Sequence, residues 1–76
     1  MITINQINWI RENTVELKRD NSYIEWINKK SIFELYDMFF HMNHDINKGR
    51  NNTNKDKEVI KYINYLLTNK GEIINK

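Results

Sequence analysis

Seventy-six residues with a formal net charge of +2 make one small domain, and a chain of this size buries only roughly 60% of its extended surface, so a partner subunit is one way to complete its stability. The absence of cysteine excludes disulfides, thiolate metal sites and cysteine redox chemistry. A DNA mimic should be strongly negative, which this chain is not, and a strongly electrostatic nucleic-acid binder should be more positive than +2.

Asn, Ile and Lys supply 13, 12 and 9 residues, with no alanine or proline. All three have AT-rich codons, and the asparagines are scattered, so an AT-rich genome explains them better than a prion-like tract. Met1 to Ile10 has neither a basic start nor a long apolar run, so we expect no signal peptide, no membrane span and a cytoplasmic location. Charge is unevenly placed: residues 32–47 carry three acidic groups and no Lys or Arg, whereas residues 48–57 carry four basic groups and one acidic.

Thr3-Ile4-Asn5-Gln6 fits a capping box, and Ile4, Ile7 and Ile10 recur on one side of a helix. A helix from Ile4 to about Glu12 is the first expected element, with an edge strand through Ile2 and Ile4 as its alternative. The next two runs, Thr14 to Lys18 and Ser22 to Ile27, are rich in β-branched and aromatic residues and are separated by Arg19-Asp20-Asn21. Such residues favour strands, and Asp and Asn suit a tight turn, so a β-hairpin is expected with Val15 and Leu17 on one face. Asn13 with Glu16 three residues later offers a helix cap instead, which would make the chain all-helical.

Ser31-Ile32-Phe33-Glu34 is a second capping box, opening a helix from Ile32 to about Met42. Ile32, Leu35, Phe39 and Met42 form one apolar stripe, and Phe33, Tyr36 and Phe40 form another beside it. An apolar arc this wide predicts burial on more than one side, as the central helix of a monomer or as half of an interface. Gly49 suits a left-handed helix C-cap. A flexible polar, basic loop is expected at about 48–57, followed by a helix capped by Asn54 or Asp56 and carrying Val59, Ile60, Ile63, Leu66 and Leu67 inward. Lys70-Gly71 ends that helix, and Ile73 and Ile74 either add a short strand or pack on a neighbour. The expected fold is therefore α+β and mostly helical, a single domain over 1–76 with a helix, a β-hairpin and two longer helices, and an all-α small bundle is the alternative.

Asp37, His41, His44 and Asp45 share an edge of the third helix at spacings that bring ligands together. A polar stripe on the hydrated side of an apolar helix explains them more simply, with a pH-sensitive ion pair between Asp37 and His41 as the functional variant. Ser31 and Thr3 are explained as caps, no base stands against a hydroxyl, and two glycines cannot build a phosphate-cradling loop. We therefore expect no enzyme, no metal and no cofactor.

Two binding readings survive. Nine aromatics in 76 residues exceed what one small core plainly hides, which favours self-association or a host protein partner. Tyr36, Phe40, Tyr62 and Tyr65 are the candidate contact residues, and a homodimer through the third or fourth helix is the simplest form. The second choice is a nucleic-acid regulator using Lys48, Arg50, Lys55 and Lys57 on phosphates. As a class, a short AT-rich chain without alanine, proline or cysteine resembles the accessory proteins of phages and mobile elements, many of which block a host enzyme by covering its surface. That resemblance implies an inhibitor of a host replication, transcription or defence component.

Overall fold

The computed structural model describes residues 2–49 and 53–75. Among them lie four α-helices, α1 (Ile4–Asn13), α2 (Asn21–Asn28), α3 (Ile32–Asn47) and α4 (Asn54–Thr68), with short 3-10 turns at Leu17–Arg19 and Lys70–Glu72. The described residues form no strand or sheet, so the α+β expectation gives way to its all-α alternative. A single isolated bridge joins Ser31 to Asn75.

Both capping boxes form. Thr3 Oγ1 accepts from the Gln6 amide while the Gln6 side chain accepts from the Thr3 amide, and Ser31 and Glu34 do the same at the head of α3. Gly49 takes φ of +81°, the left-handed geometry that a side chain would strain. The cap of α4 is Thr53, not Asn54 or Asp56: its hydroxyl accepts from the Asp56 amide and donates to the Asp56 carboxylate.

Residues 14–28 depart furthest from expectation. Asp20, expected in a hairpin turn, instead caps α2 by accepting from the Tyr23 amide at 3.1 Å. From there Ile24, Ile27 and Asn28 point inward at spacings of three and four, the period of a helix. Val15 and Leu17 do not share a face, since Val15 is 62% exposed and Leu17 is fully buried. The turn that separates them is fixed from a distance: the Glu58 carboxylate accepts from three successive amides, those of Val15 at 2.9 Å, Glu16 at 3.0 Å and Leu17 at 2.8 Å.

The core is centred on α4, which buries Val59, Tyr62, Ile63, Leu66 and Leu67. Ile10, Leu17, Ile24, Ile27, Leu35 and Ile73 complete it. Helix α3 contributes only Leu35 as a fully buried residue, so it packs on α4 along one side and is not the central helix. The two ends of the chain are tied together by Glu72, whose carboxylate accepts from Thr3 Oγ1 at 2.5 Å and Asn5 Nδ2 at 3.1 Å, and whose carbonyl accepts from Gln6 Nε2 at 2.8 Å. Those bonds explain why Gln6 is buried while Ile4, expected inward, is exposed. Among its described residues the tail adds no strand; Ile73 enters the core and Ile74 stays out. No helix among the described residues is long and apolar enough to cross a membrane.

Burial pushes the Glu58 carboxyl up, but its three amide donors and the nearby Lys61 outweigh that and hold it below the ordinary value of 4.5. A carboxylate favoured by folding stabilises the fold above its unfolded pKa, and that share is lost as pH falls below about 4.5 and through the lower folded value. Glu58→Gln removes the charge and turns an NH2 toward one of the amides, at a cost of about 1–3 kcal/mol near neutral pH. Urea titrations across pH should show the gap between wild type and E58Q narrowing as pH falls below 4.5.

Candidate protein-interaction surface

The capping box at Ser31 and Glu34 fixes where α3 begins and hence the phase of every side chain along it. With Leu35 turned into the core, residues about half a turn away must face out. Phe33, Tyr36 and Phe40, at i, i+3 and i+7, take those positions and are 78%, 47% and 71% exposed. They form an aromatic ridge along the outer side of α3. Asp37, His41 and His44 are not in the core, and the His41 ring meets the edge of Phe40 with centroids 6.0 Å apart. The expectation that α3 is buried on more than one side is therefore not met within the monomer.

Glu34 and Asp37 border the ridge. The Glu34 carboxyl is held below the usual range chiefly by the Ser31 amide and hydroxyl, with Lys30 3.8 Å away adding to it. Lys30 in turn lies over the Trp26 ring at 4.4 Å. Trp26, half exposed, shares a shallow groove with Lys30, Glu34, Asp37 and Met38, so α2 adds an exposed aromatic beyond the acidic border of the ridge. Asp37 forms no ion pair with His41, and among the described residues no three His, Asp or Glu side chains converge as metal ligands.

The four aromatic contact candidates separate. Tyr36 and Phe40 stand together on the ridge. Tyr62 is completely buried, with its hydroxyl donating to Asn28 Oδ1 at 2.9 Å, and burial pushes its phenol far up. It is a core residue, because α4 turns Val59, Tyr62 and Ile63 inward together. Tyr65 is half-buried on another side, stacked on Trp9 at a centroid distance of 4.9 Å. Phe33 and Trp26 are surface aromatics outside those four. Phe33 is signalled by its place in the second stripe of α3, whereas the strand-like composition of residues 22–27 conceals Trp26.

The basic set also separates. Lys55 and Lys57 belong to the first turn of α4, Lys48 caps the end of α3, and Arg50 lies outside the described residues. Lys55 contacts the Asp20 carboxylate at 2.5 Å and lies over the Tyr23 ring at 4.9 Å. That contact lowers the Asp20 carboxyl and raises the Lys55 ammonium, so this cation is already engaged within the fold.

A second surface feature lies between α1 and α2, a groove of about 490 Å³. Ile2, Ile7, Ile10 and Ile24 line it with Arg11, Lys18 and Glu25. A strand pairing of residues 14–28 does not create it, which is why the sequence pattern gives no sign of it. No family model matches the chain, and neither a curated protein nor a solved structure matches it.

Removing an aromatic from the ridge and from the core should have opposite consequences for folding. Phe40→Ser should move the unfolding free energy by no more than about 0.5 kcal/mol, as for other surface changes. Tyr62→Ala opens a large cavity and strands Asn28, and should cost about 3–5 kcal/mol. Thermal and denaturant unfolding of the two variants checks both.

Proposed function

We propose that the chain is a small cytoplasmic protein-binding module that acts by covering a surface of another protein, with the outer side of α3 as its contact face. The observation that carries this reading is the run of Phe33, Tyr36 and Phe40, all out in solvent on one regular helix. Aromatics dominate interface hot spots, and a helix presenting them at i, i+3 and i+7 is the form in which a partner groove reads a helix. At ~200 Å² for a whole aromatic side chain, the exposed parts of the three amount to roughly 400 Å². That is about half of the ~800 Å² a standard interface takes from each partner, a reasonable apolar centre with Trp26, Asp37, His41 and His44 as rim.

The module works by occlusion and not by catalysis, and its composition fits a phage or mobile-element accessory protein directed at a host replication, transcription or defence component. Self-association is the simplest first use of the ridge. The nucleic-acid reading is weaker, because Lys55 is engaged by Asp20 and Tyr23 and the remaining described cations of that set, Lys48 and Lys57, are a small phosphate footprint.

Capture from host lysate on immobilised wild type and F40D in parallel tests the reading. The expected outcome is a host protein retained by wild type and reduced at least roughly 10-fold on F40D, since a charge at a buried hot spot leaves it unpaired. Identical retention on both would remove α3 as the contact. Neutralising Lys48, Arg50, Lys55 and Lys57 should leave capture unchanged; salt-sensitive DNA or RNA binding lost in that variant would favour the nucleic-acid reading.

A further inference from the structure

From the isoleucine lining and excess of cations in the α1–α2 groove, set beside the exposed aromatics and Asp37 of α3, we propose that the chain associates head to tail, the α3 ridge of one copy seating in the α1–α2 groove of the next. The inference rests on the reading of α3 as a protein-contact face. The groove holds about 490 Å³, and a cavity of ~150 Å³ accepts a benzene ring, so it has room for the Phe33 and Phe40 rings with space left over. Its isoleucine lining supplies the apolar contact that those rings lack in the monomer.

Charge points the same way. The ridge is bordered by Glu34, which Lys30 approaches at 3.8 Å, and by Asp37, which has no ion-pair partner among the described residues, on a helix without Lys or Arg. The groove carries Arg11 and Lys18, neither of which has an ion-pair partner among the described residues, and Glu25 leaves it with cations in excess. Two α3 ridges set face to face would offer Asp37 no lysine or arginine from the facing helix, whereas the groove offers it two cations. Each copy then offers one ridge and one groove, so association continues past the dimer into a ring or an open chain.

Sedimentation velocity of the full chain over a concentration series decides this, using wild type, F40D, R11E/K18E and an equimolar mixture of the two variants. F40D keeps an intact groove and R11E/K18E an intact ridge, so head-to-tail contact predicts species beyond the dimer for wild type. Each variant alone stays monomeric, with association weakened roughly 30-fold or more. The mixture forms a dimer and nothing larger. Circular dichroism establishes that both variants are folded, and the milder pair F40S and R11S/K18S replaces any that is not. A wild type that stays monomeric or stops at a dimer, or a mixture of folded variants that stays monomeric, overturns the proposal. If R11E/K18E associates like wild type and F40D does not, the groove is wrong while the α3 reading stands. If F40D itself associates like wild type, the self-contact does not use α3 and this proposal is wrong, while α3 as the contact for a host protein is decided by the lysate capture.

Discussion

The three amide bonds to the Glu58 carboxylate are the constraint on which the arrangement of the first half of the chain depends. Between the end of α1 and the start of α2 the chain must reverse with Val15, Glu16 and Leu17 outside any α-helix, so three adjacent N–H groups lack helical partners. Unsatisfied amides near a core cost free energy comparable to a lost hydrogen bond each. One carboxylate on α4 satisfies all three, and in doing so locks the turn to the central helix. Leu17 is thereby delivered into the core, and α2 follows with Asn28 at its end meeting the Tyr62 hydroxyl.

This constraint is also why the sequence is legible in some segments and not in others. Caps are local: Thr3 with Gln6 and Ser31 with Glu34 each close within four residues, so both helix starts can be read from the residue order alone. The turn at 15–17 is closed by an acceptor more than forty residues away. Its neighbours, Val15, Leu17, Tyr23, Ile24, Trp26 and Ile27, carry strand-favouring side chains, and tertiary contact overrides that preference. Asp20 is ambiguous for a physical reason, since a carboxylate that suits a turn equally suits an N-cap; the Tyr23 amide and Lys55 select the second use.

The candidate contact surface is half legible on similar grounds. The second stripe of α3 is plain in the spacing of Phe33, Tyr36 and Phe40, but periodicity states only that a helix has two apolar sides, not which one the fold covers. Phase decides it: α4 covers the side bearing Leu35, with Ile32, Met38, Phe39 and Met42 packed partly against the core. On α4 the pattern misleads at Tyr62, because it falls away from the stripe of Ile60, Ile63 and Leu67 and so resembles a surface residue. Its hydroxyl has an internal partner in Asn28, and that hydrogen bond is what makes a buried phenol tolerable.

The division of labour between the two long helices follows from these choices. Helix α4 is amphipathic in the ordinary sense, with one side in the core and the other carrying Lys57, Lys61, Asn64 and Thr68 in solvent. Helix α3 has apolar side chains on both sides and packs mainly against α4, so burying one stripe necessarily leaves the other exposed. Covering a large apolar side chain is worth roughly 1.5–3 kcal/mol, and the monomer forgoes that at Phe33 and Phe40 because no further described element is placed to reach them. The surplus belongs to α3 and not to a frayed end or a loop. Its geometry is set by the same capping box and Leu35 contact that hold the domain together, which gives any partner a preformed ridge with little ordering left to be done on binding.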